Sequence, residues 1–440
     1  MIRLVAAGWM AAAVLCAQSA WKAGVAAVDI TPAGPIRLAG YAARTKPSQG
    51  VLRPLYVKAL ALRDETGRTS VIVTADLIGF RRDLSEAIAE RAGREFGITR
   101  DRLLLNASHT HSGPVLGALG GPNYENYTTA ENDAVAHYTR ALPDKVMQAI
   151  GAAVGDLSPA TLSFGQSLAA IAVNRRRAWK RELPGPVDHD VPVLVARAPG
   201  GRLRAVVAGY SCHATVLAGQ EINGDWPGFA QEEIEKANPG SVALFVQGCG
   251  ADANPLPRRS VDLARNYGRV LAAAVQEAIK GKMMPLTGPL RAAFATMPLP
   301  FQSIPVKEEL QRRLQGRDTG EQRRARYLLK VLEEKGSLPE SYPYYPVQVW
   351  RVGRELTLIT LGGEVVVDYA LRLKARYGWG GTWVAGYSND MCGYIGSRRV
   401  IREGGYEGGG ANTSNPSAWS EAIEDLIVDK VAELVRQSGG

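Results

Sequence analysis

Two kinds of hydrophobic pattern alternate along the chain. Short apolar runs bounded by polar residues or glycine are typical of β-strands. Segments with an apolar residue at every third or fourth position are typical of amphipathic helices, as in residues 83–96 with Leu84, Ile88 and Ala92. The predicted strands span residues 24–30, 57–62, 70–74, 103–106, 205–210, 243–246, 348–352 and 356–361, and the predicted helices span residues 83–96, 229–237, 261–279, 365–377 and 419–435.

The order of these elements predicts the fold class. Strands that alternate with helices favour an α/β fold, with a mixed, partly parallel sheet layered with helices. Residues 305–337 differ, because they are rich in glutamate and arginine with a helical pattern. Such a segment usually faces water, so we expect a helical insertion there. We found no internal repeat or long linker, and we expect residues 21–440 to form one domain.

The first twenty residues have the pattern of a secretory signal peptide. A basic start at Arg3 precedes an apolar run over residues 4–15 and small residues between positions 17 and 20. We therefore expect residues 1–20 to be removed and the protein to be secreted or periplasmic. The alternative is a lipid anchor on Cys16, although the preceding leucine stands where a small residue is expected. We predict no membrane span after the signal peptide.

Composition and charge exclude several classes of protein. With 46% hydrophobic and 22% charged residues, the chain is typical of a globular protein. The net charge of +9 is interpreted as a solvated surface rather than as a sign of an anionic partner, because net charge by itself indicates only solubility and nonspecific attraction. The chain has no long basic tract that would predict nucleic-acid binding. Signal removal leaves Cys212, Cys249 and Cys392, of which two could pair in an oxidising compartment. Their spacing is not that of a zinc ribbon.

Histidines follow two of the predicted strands. The strand at residues 103–106 runs into His109-Thr110-His111, and the chain has only five histidines. Imidazole is a common zinc ligand, and this spacing lets one ring bind metal while the other contacts substrate or water. His213 follows the strand at residues 205–210. The alternative is that these rings only satisfy hydrogen bonds beneath a turn.

Carboxylates follow two further strands. Asp252 lies in a small-residue loop after residues 243–246, where exposed backbone N–H groups could hold an oxyanion. Glu364 follows residues 356–361, at the carboxyl end of a strand, where open α/β sheets bind their ligands. The alternatives are a tight turn and a helix cap. Two histidines with one carboxylate are an established ligand set for catalytic zinc.

The sequence resembles the neutral, non-lysosomal ceramidase family over nearly all of the chain from Gly24 onward. No single shared segment is unique, but their order and spacing together are specific. The segments are Val28-Asp29-Ile30-Thr31-Pro32 with Gly40-Tyr41-Ala42, His109-Thr110-His111-Ser112-Gly113-Pro114, Asn174-Arg175, Cys212-His213, residues 252–255, Gly363-Glu364 and Ser388-Asn389.

The resemblance implies a site that residue patterns alone do not predict in full. It implies that zinc is held by His109, His213, Glu364 and Tyr394. It also implies that His111, Arg175 and Tyr406 line the active centre. Without the resemblance, both tyrosines would be interpreted as ordinary packing residues.

The chain departs from the family pattern in two places. Where the family has Gly-Asp-x-Ser-Pro, this chain has Ala251-Asp252-Ala253-Asn254-Pro255, so a hydroxyl is missing. The protein would then use zinc-bound water or act on a different substrate, and Asp252 and Asn254 remain candidate catalytic residues. We also expect no C-terminal immunoglobulin-like domain after the last predicted helix.

These observations predict a zinc-dependent, ceramidase-like hydrolase that cleaves an N-acyl amide bond with metal-activated water in a small-molecule or lipid substrate. His111 would transfer protons, and Arg175 and Tyr406 would orient the substrate and stabilise the oxyanion. One alternative is a zinc hydrolase acting on a polar, sugar-linked or peptide-like substrate, with a pocket lined by Arg175, Arg176 and Arg398. A second is a non-catalytic exported protein that binds a metal.

Overall fold

The computed structural model describes residues 21–117, 127–178 and 185–439. The predicted signal peptide at residues 1–20, with Cys16, lies outside the described residues. No helix in the described part of the chain is both long and apolar enough to cross a membrane. Cys212, Cys249 and Cys392 are free thiols in this structure.

Strands and helices alternate through most of the chain. The strands are β1 (Trp21–Asp29), β2 (Gly50–Val51), β3 (Tyr56–Arg63), β4 (Thr69–Ala75), β5 (Leu103–Ala107), β6 (Ser158–Leu168), β7 (Ala172–Asn174), β8 (Asp190–Arg197), β9 (Leu203–Tyr210), β10 (Glu221–Ile222), β11 (Val242–Gln247), β12 (Ala253–Pro255), β13 (Met284–Leu286), β14 (Leu290–Pro300), β15 (Ser341–Val352), β16 (Leu356–Leu361), β17 (Glu364–Val365), β18 (Thr382–Ala385) and β19 (Tyr394–Ile395). The helices are α1 (Arg82–Phe96), α2 (Thr129–Gly155), α3 (Arg175–Ala178), α4 (Asp225–Ala237), α5 (Val261–Lys280), α6 (Lys307–Leu314), α7 (Thr319–Lys335), α8 (Val367–Tyr377), α9 (Arg398–Glu403) and α10 (Ile423–Gln437).

Two main sheets are mixed in strand direction. The larger has the order β11-β9-β8-β6-β1-β3-β4-β5, with β13 beside β6, and the smaller has the order β14-β15-β16-β18. The pairs β11/β9, β4/β5 and β16/β18 are parallel, whereas β1/β3, β8/β9 and β15/β16 are antiparallel. The predicted α/β fold with a partly parallel sheet is therefore confirmed.

The sheets pack face to face, with helices on their outer faces. Strand β3 is buried on both sides, because alternate side chains point to opposite faces. Val57 and Ala59 join the apolar cluster that contains α1 and α2. Leu60 and Leu62 join Trp350 and Trp383 of the smaller sheet in a central cluster. The smaller sheet is covered in turn by α8 and α10. The layers are thus helix, sheet, sheet, helix.

The larger sheet curls until its two edge strands meet. Asn106 of β5 is fully buried, and its Oδ1 accepts a hydrogen bond from the backbone N of Gln247 in β11 at 2.8 Å. Its Nδ2 donates to the carbonyl of Gly386, beyond β18 of the smaller sheet, at 2.9 Å. One side chain therefore joins the carboxyl ends of strands from both sheets, and the loops beyond those ends lie together.

The charged segment forms the helices α6 and α7 around a small core of its own. Most of its surface is exposed, as a charge-rich helical pattern predicts. Arg324 of α7 is buried and donates to the carbonyls of Gly409 at 2.8 Å and Asn412 at 3.3 Å. The helices thus hold the π-helical turn Tyr406–Gly410. Whether the segment is an insertion stays a prediction.

Candidate metal centre

Three side chains from separate strand ends converge on one point. His109 follows β5, His213 follows β9, and Glu364 begins β17 directly after β16. The Nε2 atoms of His109 and His213 each lie 3.2 Å from Oε2 of Glu364. Both imidazoles are buried, with at most 1% exposed. The site lies at the carboxyl ends of the strands, as the sequence predicts.

Backbone carbonyls determine which nitrogen of each imidazole faces the centre. Nδ1 of His109 lies 2.6 Å from the carbonyl of Ile78, and Nδ1 of His213 lies 2.7 Å from the carbonyl of Gly250. A carbonyl can only accept, so each Nδ1 carries the proton and each Nε2 presents a lone pair. Burial lowers the pKa of His213 to about 4, which keeps its ring neutral.

The convergent atoms match the requirements of a bound cation. Two imidazole lone pairs and a carboxylate oxygen face one another, and all three are acceptors. Oε2 of Glu364 is buried and has no hydrogen bond of good geometry to any described residue. Nitrogen and carboxylate ligands of this kind suit zinc, although other divalent metals also accept them. The residues present therefore fit a metal ion.

Tyr394 reaches the same centre through a short strand pairing. Strands β17 and β19 are parallel, and Glu364 and Tyr394 are direct partners in their register. The hydroxyl of Tyr394 lies 3.3 Å from Nε2 of His213 and accepts a hydrogen bond from Nη2 of Arg175 at 3.2 Å. Burial raises the pKa of Tyr394, and the Arg175 charge opposes that rise. The short distance to Nε2 of His213 makes the hydroxyl a candidate ligand.

His111 lies beside the centre, with one nitrogen free. Its Nε2 is 3.1 Å from Nε2 of His109, and ligand atoms of His109, His111 and His213 all lie within 4.8 Å of one another. These three rings could themselves form a ligand set. However, Nδ1 of His111 is buried without a partner among the described residues, so no carbonyl holds its tautomer. Burial lowers the pKa of His111, and so do the neighbouring histidines, so the ring is neutral.

Arg175 and Tyr406 lie on one side of the centre. The Arg175 guanidinium carbon lies 5.7 Å from the ring centre of Tyr394 and 5.4 Å from that of Tyr406. Tyr406 is 58% exposed, so it stands at the mouth. Asn254 is buried, and its Oδ1 lies 3.4 Å from both Nη1 of Arg175 and Oγ1 of Thr215. Four predicted residues therefore form one wall of the site.

Asp252 lies behind this wall rather than in it. Its carboxylate accepts hydrogen bonds from the backbone N of Val367 and from Nδ2 of Asn174, both at 2.9 Å. Its carbonyl accepts the backbone N–H of Arg175 at 2.8 Å. Burial raises the pKa of Asp252 to about 6. The arrangement indicates that Asp252 positions Arg175 through the backbone.

Sequence reasoning missed Glu407, which holds Arg175 in place. Glu407 is 4% exposed, and Oε1 accepts from Nε of Arg175 at 2.6 Å while Oε2 accepts from Nη1 of Arg176 at 2.7 Å. The only sequence signal was its position next to Tyr406. Arg176 is thus engaged behind the wall, and Arg398 donates to Asp425 on another surface. Neither lines the pocket that the polar-substrate alternative predicted.

Tyr387, also missed, belongs to a group of strained residues around the centre. Its ring centre lies 4.6 Å from that of His109. Non-glycine residues with positive φ are uncommon and cluster at functional sites. Among the described residues they are His109 (58°), Asp225 (50°), Arg259 (93°), Tyr387 (51°) and Asn389 (65°).

The chain is similar in sequence to known proteins. A sequence model of the family described as neutral/alkaline non-lysosomal ceramidase, N-terminal, matches residues 21–290. Neutral ceramidase A of Dictyostelium discoideum is 25% identical over 268 residues, which are 55% of this chain and 37% of that protein. Neutral ceramidase B of the same organism is 25% identical over 265 residues, which are 55% and 36% of the two chains. The matched part spans just over a third of each curated relative.

Solved structures extend the likeness in fold to the remainder of the chain. The neutral ceramidase from Pseudomonas aeruginosa superposes with a TM-score of 0.73 at 21% identity, covering 94% of this chain and 74% of that one. A structure described as ceramidase complexed with C2 has a TM-score of 0.74 at 19% identity, covering 94% and 75%. The shared fold thus covers a larger part of the chain than the family model does. Since the family model matches more than half of its residues, the chain belongs to the neutral/alkaline non-lysosomal ceramidase family.

Proposed function

We propose that this protein is a zinc-dependent hydrolase that cleaves an N-acyl amide bond. The observation that carries the proposal is the convergence of Nε2 of His109, Nε2 of His213 and Oε2 of Glu364, with both Nδ1 atoms held by carbonyls. The membership of the chain in a ceramidase family supports an amide as the bond that is cleaved. Tyr394 would be the fourth ligand.

The side chains around the centre have separate roles in this proposal. Zinc in such a site supplies Lewis acidity and lowers the pKa of water towards about 7. His111, neutral and with Nδ1 free, accepts a proton from the attacking water and returns it to the leaving amine. Arg175 and Tyr406 donate hydrogen bonds to the carbonyl oxygen as negative charge develops on it. Glu407 keeps the Arg175 guanidinium oriented for that role.

Asn254 distinguishes this chain from the family pattern. Its Oδ1 faces Nη1 of Arg175, and its side chain contains no hydroxyl that could act as a nucleophile. The proposal therefore uses water for attack, and Asn254 positions Arg175. We further propose that the protein acts outside the cytoplasm, because residues 1–20 have the signal-peptide pattern. Sequencing the amino terminus of the protein recovered from its native compartment tests this part of the proposal.

Metal analysis with an activity assay tests the central proposal. We expect close to one zinc per chain, and release of fatty acid from a fluorescent N-acyl substrate. His109→Ala should lose both zinc and turnover, because one of the convergent ligands is removed. The matched control is His137→Ala, a change of an exposed histidine on α2. A metal-free His109→Ala protein with full activity would contradict the mechanism.

The same experiment separates the proposal from a non-catalytic role. Zinc retained by the wild type without turnover of any acyl amide would favour an exported metal-binding protein. Turnover of polar amides but not of lipid amides would favour the polar-substrate alternative.

A further inference from the structure

Arginines gather around Tyr41 at the mouth of the metal centre. The Tyr41 ring centre lies 4.9 Å from that of His111, with the two rings edge to face. The guanidinium carbon of Arg44 lies 4.8 Å from the Tyr41 ring centre, and that of Arg259 lies 5.3 Å from it. Nη1 of Arg259 also donates to the Tyr41 hydroxyl at 3.0 Å. The Tyr41 ring thus lies between these charges and His111, the proposed proton acceptor.

No carboxylate of the described residues forms an ion pair with these arginines. Arg44 donates to the carbonyls of Ala39 and Gly219, each at 2.8 Å, and to that of His111. The bonds of Arg259 go to Tyr41 and to the carbonyl of Thr215. Arg258, the residue before Arg259, is half-buried and forms no hydrogen bond or ion pair with the described residues. Arg175 and Arg176, in contrast, share the carboxylate of Glu407.

The nearby acid is already occupied. Both oxygens of the buried Asp225 accept backbone N–H groups, from Val216 at 3.1 Å, Leu217 at 2.8 Å and Trp226 at 2.7 Å. Asp225 is therefore engaged by the backbone, and it forms no ion pair with Arg44 or Arg259. Burial lowers the pKa of Arg44 to about 10, and the Arg259 charge acts in the same direction. Uncompensated like charges are costly in a partly buried site, which is typical of a site that binds an anion.

Arg258 lies in a loop that connects to both sides of the candidate metal centre. Arg258 follows β12, whose Asn254 faces Arg175. The backbone N of Arg259 donates to the carbonyl of Val216 at 2.8 Å, so this loop is held against the segment that follows His213. Burial lowers the pKa of Arg258, as do the charges of Arg259 and Arg175. The Arg258 guanidinium, without a partner among the described residues, is thus close enough to Arg175 for the two charges to interact.

We propose that Arg258, Arg259 and Tyr41 form a subsite for an oxyanion of the substrate, next to the amide that is cleaved. This inference rests on the proposed amide hydrolysis. It names the substrate class as an N-acyl amide whose amine part carries a carboxylate or a phosphate, rather than a neutral sphingolipid. A guanidinium without a protein partner forms strong charge-assisted hydrogen bonds with either anion.

Amides that share one acyl chain test the subsite. N-dodecanoylglycine carries a carboxylate, N-dodecanoylphosphoethanolamine carries a phosphate, and N-dodecanoylethanolamine is neutral. We expect the wild type to release dodecanoate from at least one anionic amide with a kcat/KM about tenfold or more above that for the neutral amide. The anionic amide with the higher value identifies the source of the oxyanion.

Substitutions of Arg258 test whether the preference for anionic amides depends on the subsite. Arg258→Gln should reduce the anionic-to-neutral ratio about tenfold, Arg258→Glu should reduce it further, and Arg258→Lys should restore part of it. Arg269→Gln, which changes an exposed arginine on α5, is the matched control and should keep the wild-type ratio. Thermal melting of each variant verifies that the protein is folded.

The outcomes separate this inference from the proposed function. Equal hydrolysis of all three amides, or an anionic preference that survives Arg258→Glu, would overturn the subsite while amide hydrolysis stands. If the zinc-loaded protein hydrolyses none of them, the proposed function fails for these amides, and calorimetry with N-dodecanoylglycine decides the subsite. Binding that is lost in Arg258→Glu would support it, and an absence of binding to the wild type would reject it.

Discussion

Single residues at the metal centre are held by partners that orient them. The carbonyls of Ile78 and Gly250 hold His109 and His213, and the carboxylate of Glu407 holds Arg175. Misplacing a catalytic group by about 1 Å costs roughly 100-fold in rate, so in the proposed mechanism such partners would contribute to catalysis without contacting the substrate. The charged groups of Arg175, Arg176 and Glu407 form a largely buried ion network, so each depends on the others.

Glu407→Gln should lower kcat about 10-fold or more while leaving zinc content unchanged. The amide keeps the shape of the side chain but lacks the charge that orients Arg175. Because Arg175 acts on the developing oxyanion in the proposed mechanism, kcat should fall more than KM rises. Steady-state kinetics and metal analysis measure both effects. Glu421→Gln, which removes an exposed partner of Arg402, is the control and should leave both kcat and zinc content unchanged. Loss of zinc in Glu407→Gln would instead indicate a ligand-supporting role.

The site is positioned by short elements, which the hydrophobic pattern is too short to predict. The two-residue strands β17 and β19 bring Glu364 beside Tyr394, and their apolar content is too small to predict either strand. Residues 365–377, predicted as one helix, begin as strand β17 and become helix α8 only at Val367. The long helix α2 was not predicted, because Pro143 within it usually marks a helix end.

The turn before Tyr41 shows how such an element shapes the centre. Gly40 has φ 89°, and a Cβ there would lie 2.3 Å from Nδ1 of His111. Gly40→Ala should therefore displace the His111 ring and reduce turnover at least about tenfold, and strain should cost on the order of 1–3 kcal/mol of stability.

Gly67→Ala provides a matched control for this substitution. Gly67 also has a positive φ, of 79°, but a Cβ there would meet no atom within 4 Å. The control should lose stability through backbone strain while retaining turnover. Thermal melting and kinetics on both variants measure the two effects. Equal losses of turnover in Gly40→Ala and Gly67→Ala would show that contact with His111 is not the cause.

At the scale of the molecule, the centre joins parts of the chain that are distant in sequence. His109 follows the edge strand of the curled sheet, His213 follows another strand of that sheet, and Glu364 and Tyr394 come from the region of the smaller sheet. A metal held by all four would link both sheets. A ligand that binds only the folded state stabilises a protein, and the stabilisation grows with the logarithm of the free ligand concentration.

Removing zinc should therefore lower the melting temperature of the whole domain. At a free zinc concentration of about 1,000 times Kd, the expected stabilisation is about 4 kcal/mol. Calorimetry of the chelated and the zinc-loaded protein measures the difference, and His109→Ala should melt at the same temperature in both conditions. A wild-type melting temperature that does not respond to zinc would contradict a centre that joins the two sheets.

The sequence by itself determined the features that depend on neighbouring residues. Periodicity predicted the α/β class, which the structure confirms, because strand and helix periods are properties of consecutive positions. The placement of His109, His213 and Glu364 after apolar strands predicted that they would meet, and the structure brings them together. Their role as zinc ligands stays a prediction. Tyr394 was reached only through resemblance to the ceramidase family.

Only the tertiary structure decided which distant residues share the site. The curl of the larger sheet, the β17/β19 pairing and the contact of Glu407 with Arg175, 232 positions apart, depend on the packing of the whole domain. The same packing turns Arg176 and Arg398 towards carboxylates and leaves Arg258 without a partner among the described residues. Local sequence records the type of each side chain, whereas its partners depend on contacts that form when the sheets close together.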